Sequence, residues 1–152
     1  MKSAILIGVL GALVTGGMVG LQAMLSTRAG QLVGPLRTSL LTNMAGGSFA
    51  FILFFTLSAL RVLRPEPVQR QAVILLVVSG VLGVFIILGV SFSLRYTGVV
   101  AGAAAIILGQ LLVTMLADSF GLGGIERIPF TWQRAAGLAL MAAAVFLLLP
   151  RK

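Results

Sequence analysis

Apolar residues in this chain occur in long unbroken runs, separated by short clusters rich in Gly, Pro and Arg. Each run approaches or exceeds the ~20 residues with which an α-helix crosses the hydrocarbon core of a bilayer. The charge-free stretch from Ser3 to Thr27 predicts a first helix over residues 4–25. It is much longer than the ~7–15 apolar residues of a cleavable signal and is read as retained. RAGQLVGPLR (28–37), with Gly30, Gly34 and Pro35 as breakers, predicts a loop, and a second helix follows over 38–60. RVLRPEPVQR (61–70) is the most polar segment and reads as a turn, because Pro65 and Pro67 stop helix continuation. A third helix is expected over 71–94, a very tight connection at Arg95 and Tyr96, and a fourth helix over 96–118. The loop SFGLGGIERIPFTWQR, with Gly121, Gly123, Gly124 and Pro129, leads into a fifth helix over 132–149. The class is therefore all-α, a polytopic integral membrane protein with five transmembrane helices in one domain spanning 1–152. No internal repeat and no linker to a second domain is evident.

Within these runs the small and polar residues are spaced for helix faces. Gly8, Ala12, Gly16 and Gly20 fall four apart and form a ridge that admits another helix closely. Gly11, Thr15, Met18, Gln22 and Ser26 occupy a second face. In the fourth helix Gly98, Ala101, Gly102, Ala105 and Gly109 make a small-residue face, while Gln110, Thr114 and Asp118 recur four apart. Ala135, Ala139 and Ala143 form a further ridge in the fifth helix, suited to a dimer contact or to packing within the chain. Asn43 must face protein or a wet cavity, since an amide left unpaired in hydrocarbon costs several kcal/mol; an interhelical hydrogen bond would suffice.

Composition narrows the function classes. The chain is 59% hydrophobic and 9% charged, which excludes a soluble domain with a polar shell. Its net charge of +8 comes from basic residues placed between the apolar runs, so it points to membrane anchoring rather than to nucleic acid. With no Cys and no His, thiol chemistry, imidazole catalysis and the usual zinc sites are excluded. No nucleophile–base pair or metal cluster stands out, so neither an enzyme nor a cofactor is expected.

Five spans put the termini on opposite sides. Lys2, Arg61, Arg64, Arg70, Arg127 and Arg134 then share one side, and Arg28, Arg37, Arg95, Arg151 and Lys152 the other, six against five. The usual bias of basic residues toward one side is missing. That balance motivates a chain that inserts in both orientations and pairs with an inverted copy of itself.

The run GQLLVTMLADSFG, with Gly109, Gln110, Asp118, Phe120 and Gly121, followed by Pro129 and RAAGLALM, with Arg134, Gly137 and Met141, resembles the YdcZ-type family of inner-membrane exporters in the drug/metabolite transporter superfamily. LQAMLSTRAG, with Gln22, Arg28 and Gly30, is similar to the family's first-helix end, as is the placement of Gly46. Ser26 stands where the family's Asn is expected. The resemblance spans nearly the whole chain. It implies a multi-pass protein of the bacterial inner (plasma) membrane, built as four helices arranged as in the small multidrug resistance transporters plus one, and working as an antiparallel dimer. In that related family an acidic residue in the first helix exchanges protons with cationic substrates. This chain has no acidic residue there, so that mechanism does not transfer.

Together these features predict a drug or metabolite exporter working by alternating access, with the lipid bilayer, an inverted second copy and a small-molecule substrate as partners, and no nucleic acid. The expected substrate-binding residues are Gln22, Asn43, Gln110, Thr15 and Thr114, at the interface between copies. Asp118 is the nearby carboxylate for ion or proton coupling. Other roles stay open: Gln22 reaching interfacial water, Asp118 pairing with a loop cation such as Arg127, and the chain as an accessory subunit of another membrane protein or half of an antiparallel heterodimer.

Overall fold

The computed structural model describes residues 2–63, 67–122 and 127–150, with side chains from residue 5 onward. Arg64, Pro65, Gly123, Gly124, Arg151 and Lys152 lie outside the described residues, as does the side chain of Lys2. Five helices follow one another: α1 Lys2–Val33, α2 Pro35–Ala59, α3 Arg70–Thr97, α4 Val99–Phe120 and α5 Trp132–Leu148. By length and composition α1 to α4 can cross a membrane; α5, with 17 residues, is a shorter apolar helix. At 1.5 Å per residue α4 is ~33 Å long and α5 ~25 Å.

Two predicted boundaries move. The expected loop at 28–37 is mostly helix, because nothing between Arg28 and Val33 forbids it. Arg28 Nη1 donates to Gln31 Oε1 at 3.2 Å along the helix surface. Gly30 has its reason in packing, since a β-carbon there would lie 3.2 Å from Ser91 Cβ. The break falls at Gly34, whose φ of 88° and ψ of 150° belong almost solely to glycine. Pro35 then starts α2 at a position where its missing N–H is not needed. Likewise the turn between α3 and α4 is not at Arg95 and Tyr96, which stay helical, but at Gly98, with φ 77° and ψ 162°.

The chain forms two compact units, residues 1–92 and 93–152. In the first, α1 and α2 pack together, and α3 meets both through small and hydroxyl side chains. Ser26, Thr27, Thr38, Ser39 and Ser91 are buried. Ser91 Oγ donates to the carbonyl of Ser26 at 3.2 Å, and Ser39 Oγ donates to that of Val84. Thr27 and Thr38 return their hydroxyls to Ala23 and Gly34 one turn back. This seam is polar because helices in lipid gain little by burying apolar side chains against one another; close contact and hydrogen bonds hold them instead. Most of the large apolar side chains are exposed on the protomer and suited to lipid.

In the second unit α4 packs on α5. Leu94 and Ala101 are buried, and Gly102 accommodates Leu94 and Thr97: a β-carbon there would lie 2.5 Å from Thr97 Oγ1 and 2.8 Å from Leu94 Cδ1. Gly121 ends α4 in the left-handed conformation, φ 67°. The following segment folds back on the open carbonyls of that end: Ile128 N–H donates to Asp118 O at 3.1 Å and Arg127 Nε to Ser119 O at 2.8 Å. Thr131 caps α5, its hydroxyl oxygen 3.4 Å from Arg134 N.

Candidate functional site

The second unit contains a groove of about 370 Å³ lined by Leu111, Thr114, Met115 and Asp118 of α4 and by Arg134, Gly137 and Leu138 of α5. On α4 the four residues are spaced i, i+3, i+4 and i+7, and on α5 the three are spaced i, i+3 and i+4. Each set therefore shares one helix face. Leu111, Met115 and Leu138 make the groove apolar. Gly137 leaves room in it, since a β-carbon there would meet nothing within 4 Å.

Charge sits at the other end of this lining. Arg134 Nη1 donates to Asp118 Oδ2 at 3.2 Å, and the two side chains are 32% and 29% exposed. This corrects the expectation of Arg127 as partner of Asp118: Arg127 is engaged with the carbonyl of Ser119. The reason is register. The cap at Thr131 starts α5 so that Arg134, three residues later, meets α4 at Asp118, two residues before its end. Among the described residues Asp118 is the one acidic side chain. Thr114 Oγ1 donates to the carbonyls of Gln110 at 2.9 Å and Leu111 at 3.2 Å, which leaves its lone pairs available to a ligand.

Of the residues expected to bind substrate, the groove thus brings together Thr114 and Asp118. Gln110 lies one turn before Thr114 on α4, exposed and outside the lining. Asn43 belongs to the seam of the first unit: its Nδ2 donates to Ser39 O at 2.9 Å and, across to α3, to Gly83 O at 3.5 Å. Thr15 and Gln22 are exposed on α1, with Thr15 Oγ1 donating to Gly11 O. Sequence reasoning did not select Leu111, Met115 and Leu138, and named Arg134 and Gly137 without placing them in a site. The signal that could have found them is the matching i, i+3, i+4 spacing around Asp118 and Arg134 on successive helices. Among the described residues no three His, Cys, Asp or Glu side chains come together as metal ligands.

Several apolar helices long enough to span a bilayer define a multi-pass membrane protein, and in its second unit a charged pair is set into a mostly apolar groove. Residues 7–147 match the family described as "Putative inner membrane exporter, YdcZ", and the chain belongs to that family of the inner membrane. The family's description is that of an exporter. No curated protein and no solved structure matches the chain.

Proposed function

We propose that this protein is a small-molecule exporter working by alternating access as an antiparallel, dual-topology homodimer. The observation that carries the reading is the even split of basic residues, six against five, between the two ends of the spans. A protein with a fixed orientation keeps an excess on the cytoplasmic side, whereas a chain without one inserts both ways. Two inverted copies then supply the symmetry on which alternating access is built, with the site near the midplane where the halves meet. The fifth helix is counted as a span in this reading, its 17 residues reaching the lower end of the usual ~17–25.

Helix positions support the placement of the site. Gln110 falls within about 1 Å of the middle of α4, Gln22 and Asn43 about 6–7 Å from the middles of α1 and α2, and Asp118 about 13 Å from the middle of α4. Inverting one copy brings the level of its Gln22 and Asn43 toward that of Thr114 and Asp118 in the other. The substrate meets Gln110, Thr114, Gln22 and Thr15 in that cavity, and Asp118 at its edge serves the cargo or the coupled ion, while the Asn43 amide ties α2 to α3. The ridge of Gly8, Gly16 and Gly20, where added β-carbons meet nothing within 4 Å, is free to receive the second copy.

The test uses the absence of native cysteine. A single Cys introduced near either terminus is labelled from each side of intact membranes with an impermeant maleimide. Labelling of part of the population from each side is expected; labelling of every molecule from one side overturns the dual-topology reading. Purified protein alone in liposomes should move solute, and activity only with a second, homologous chain would replace the homodimer with a heterodimer.

A further inference from the structure

We infer that the α4–α5 groove binds an amphipathic zwitterion, of the chemical class of an apolar α-amino acid, with its ammonium on Asp118 and Thr114 and its carboxylate on Arg134. The inference deepens the exporter reading by naming the substrate class, and rests on that reading for the ligand's being cargo.

The argument begins with charge. The site holds one carboxylate and one guanidinium 3.2 Å apart, both partly withdrawn from water. A ligand with a single charge would take one of them and leave the other unpaired, which is costly away from bulk water. A ligand with adjacent opposite charges exchanges one ion pair for two. Donors and acceptors also match. Only one Arg134–Asp118 hydrogen bond exists, so the guanidinium keeps further N–H groups in its planar fork and the carboxylate keeps its Oδ1. Thr114, its proton committed to backbone carbonyls, can only accept from the ligand, which suits an ammonium and not a carboxylate.

The remainder of the groove sets the other half of the ligand. Leu111, Met115 and Leu138 line it with aliphatic surface, and Gly137 leaves open space where any other residue would project. At about 370 Å³ it lies near the lower end of the ~300–1,000 Å³ usual for ligand pockets, fitting a small molecule with one short apolar chain.

The experiment is calorimetric titration of the purified full-length protein in nanodiscs with three related probes: L-leucine, the amine left when its carboxylate is removed (3-methylbutylamine) and the acid left when its ammonium is removed (4-methylpentanoate). Leucine should bind at least about tenfold more tightly than either singly charged probe, as expected for one charged hydrogen-bonded contact. Asp118→Asn should erase its advantage over the carboxylate, and Arg134→Gln its advantage over the amine. Gly137→Leu, which fills the groove from a position with free space, should weaken leucine binding about tenfold or more while keeping the wild-type helical content. Equal binding of leucine and amine, no leucine binding by folded wild type, or wild-type binding by folded Gly137→Leu would each overturn the inference. The probe series on wild type and the groove-filling variant decide the matter even if a charge variant does not fold. A dual-topology protein that exports other solutes but ignores leucine overturns this inference alone; leucine binding by a protein of single orientation overturns the inverted dimer alone.

Discussion

Ser91 Oγ of α3 donates a 3.2 Å hydrogen bond to the carbonyl of Ser26 in α1, and Gly30, one turn on from Ser26, lies directly against the Ser91 β-carbon. The two helices are held by a hydroxyl and a missing side chain. Gly30→Val should therefore lower stability by ~1–3 kcal/mol through overpacking, read as a lower Tm in detergent. Pairing it with Ser91→Gly should recover part of the loss; a double variant as unstable as the sum of the singles would mean that the two sites do not touch.

Gly34 and Gly98 carry the two helix breaks at positive φ, with ψ near 150° and 160°. Alanine at either should cost ~1–3 kcal/mol, because that region of backbone space is nearly closed to residues with a β-carbon. Gly8→Ala, inside a helix and with open space around its β-carbon, should leave the Tm unchanged or raise it.

The Asp118–Arg134 pair is about a third exposed, so as a tether between α4 and α5 it contributes only ~0–1 kcal/mol. Asp118→Asn should thus melt within a few degrees of wild type. Transport in liposomes across a pH series separates the roles: a large loss, or a loss of pH dependence, identifies the carboxylate as functional, while unchanged transport assigns it to structure.

Gln110 is exposed near the middle of α4 and lies outside the lining of the α4–α5 groove. If it faces the cavity between inverted copies, Gln110→Ala should lower solute export severalfold at an unchanged Tm. Wild-type export by the folded variant removes Gln110 from the site.

Asn43 should behave in the opposite way. Its amide is engaged with Ser39 O and Gly83 O, so Asn43→Leu should lower the Tm, with a loss of ~0.5–1.5 kcal/mol for the lost hydrogen bonding. A large export defect at full stability would instead place Asn43 in the substrate path.

The amino-acid sequence by itself determined the class of fold. Charge-free runs matched to the thickness of a bilayer can only be helices, since hydrocarbon offers the backbone no other partner, and each run is a local property. Clusters such as RVLRPEPVQR likewise announced their turn without reference to anything distant. The same local reading misplaced the end of α1, because Gly30 looks like a breaker until Ser91 shows why it lacks a side chain. The candidate site was legible only in pieces. Thr114 and Asp118 stood out as polar residues in an apolar run, but Arg134 became the partner of Asp118 through the capped start of α5 and its packing on α4. Tertiary structure alone decided that pairing, the groove it closes and the polar seam of Ser26, Ser39 and Ser91. Each depends on which faces of separate helices meet, and a helix in lipid shows no apolar stripe in its sequence to say which face that is.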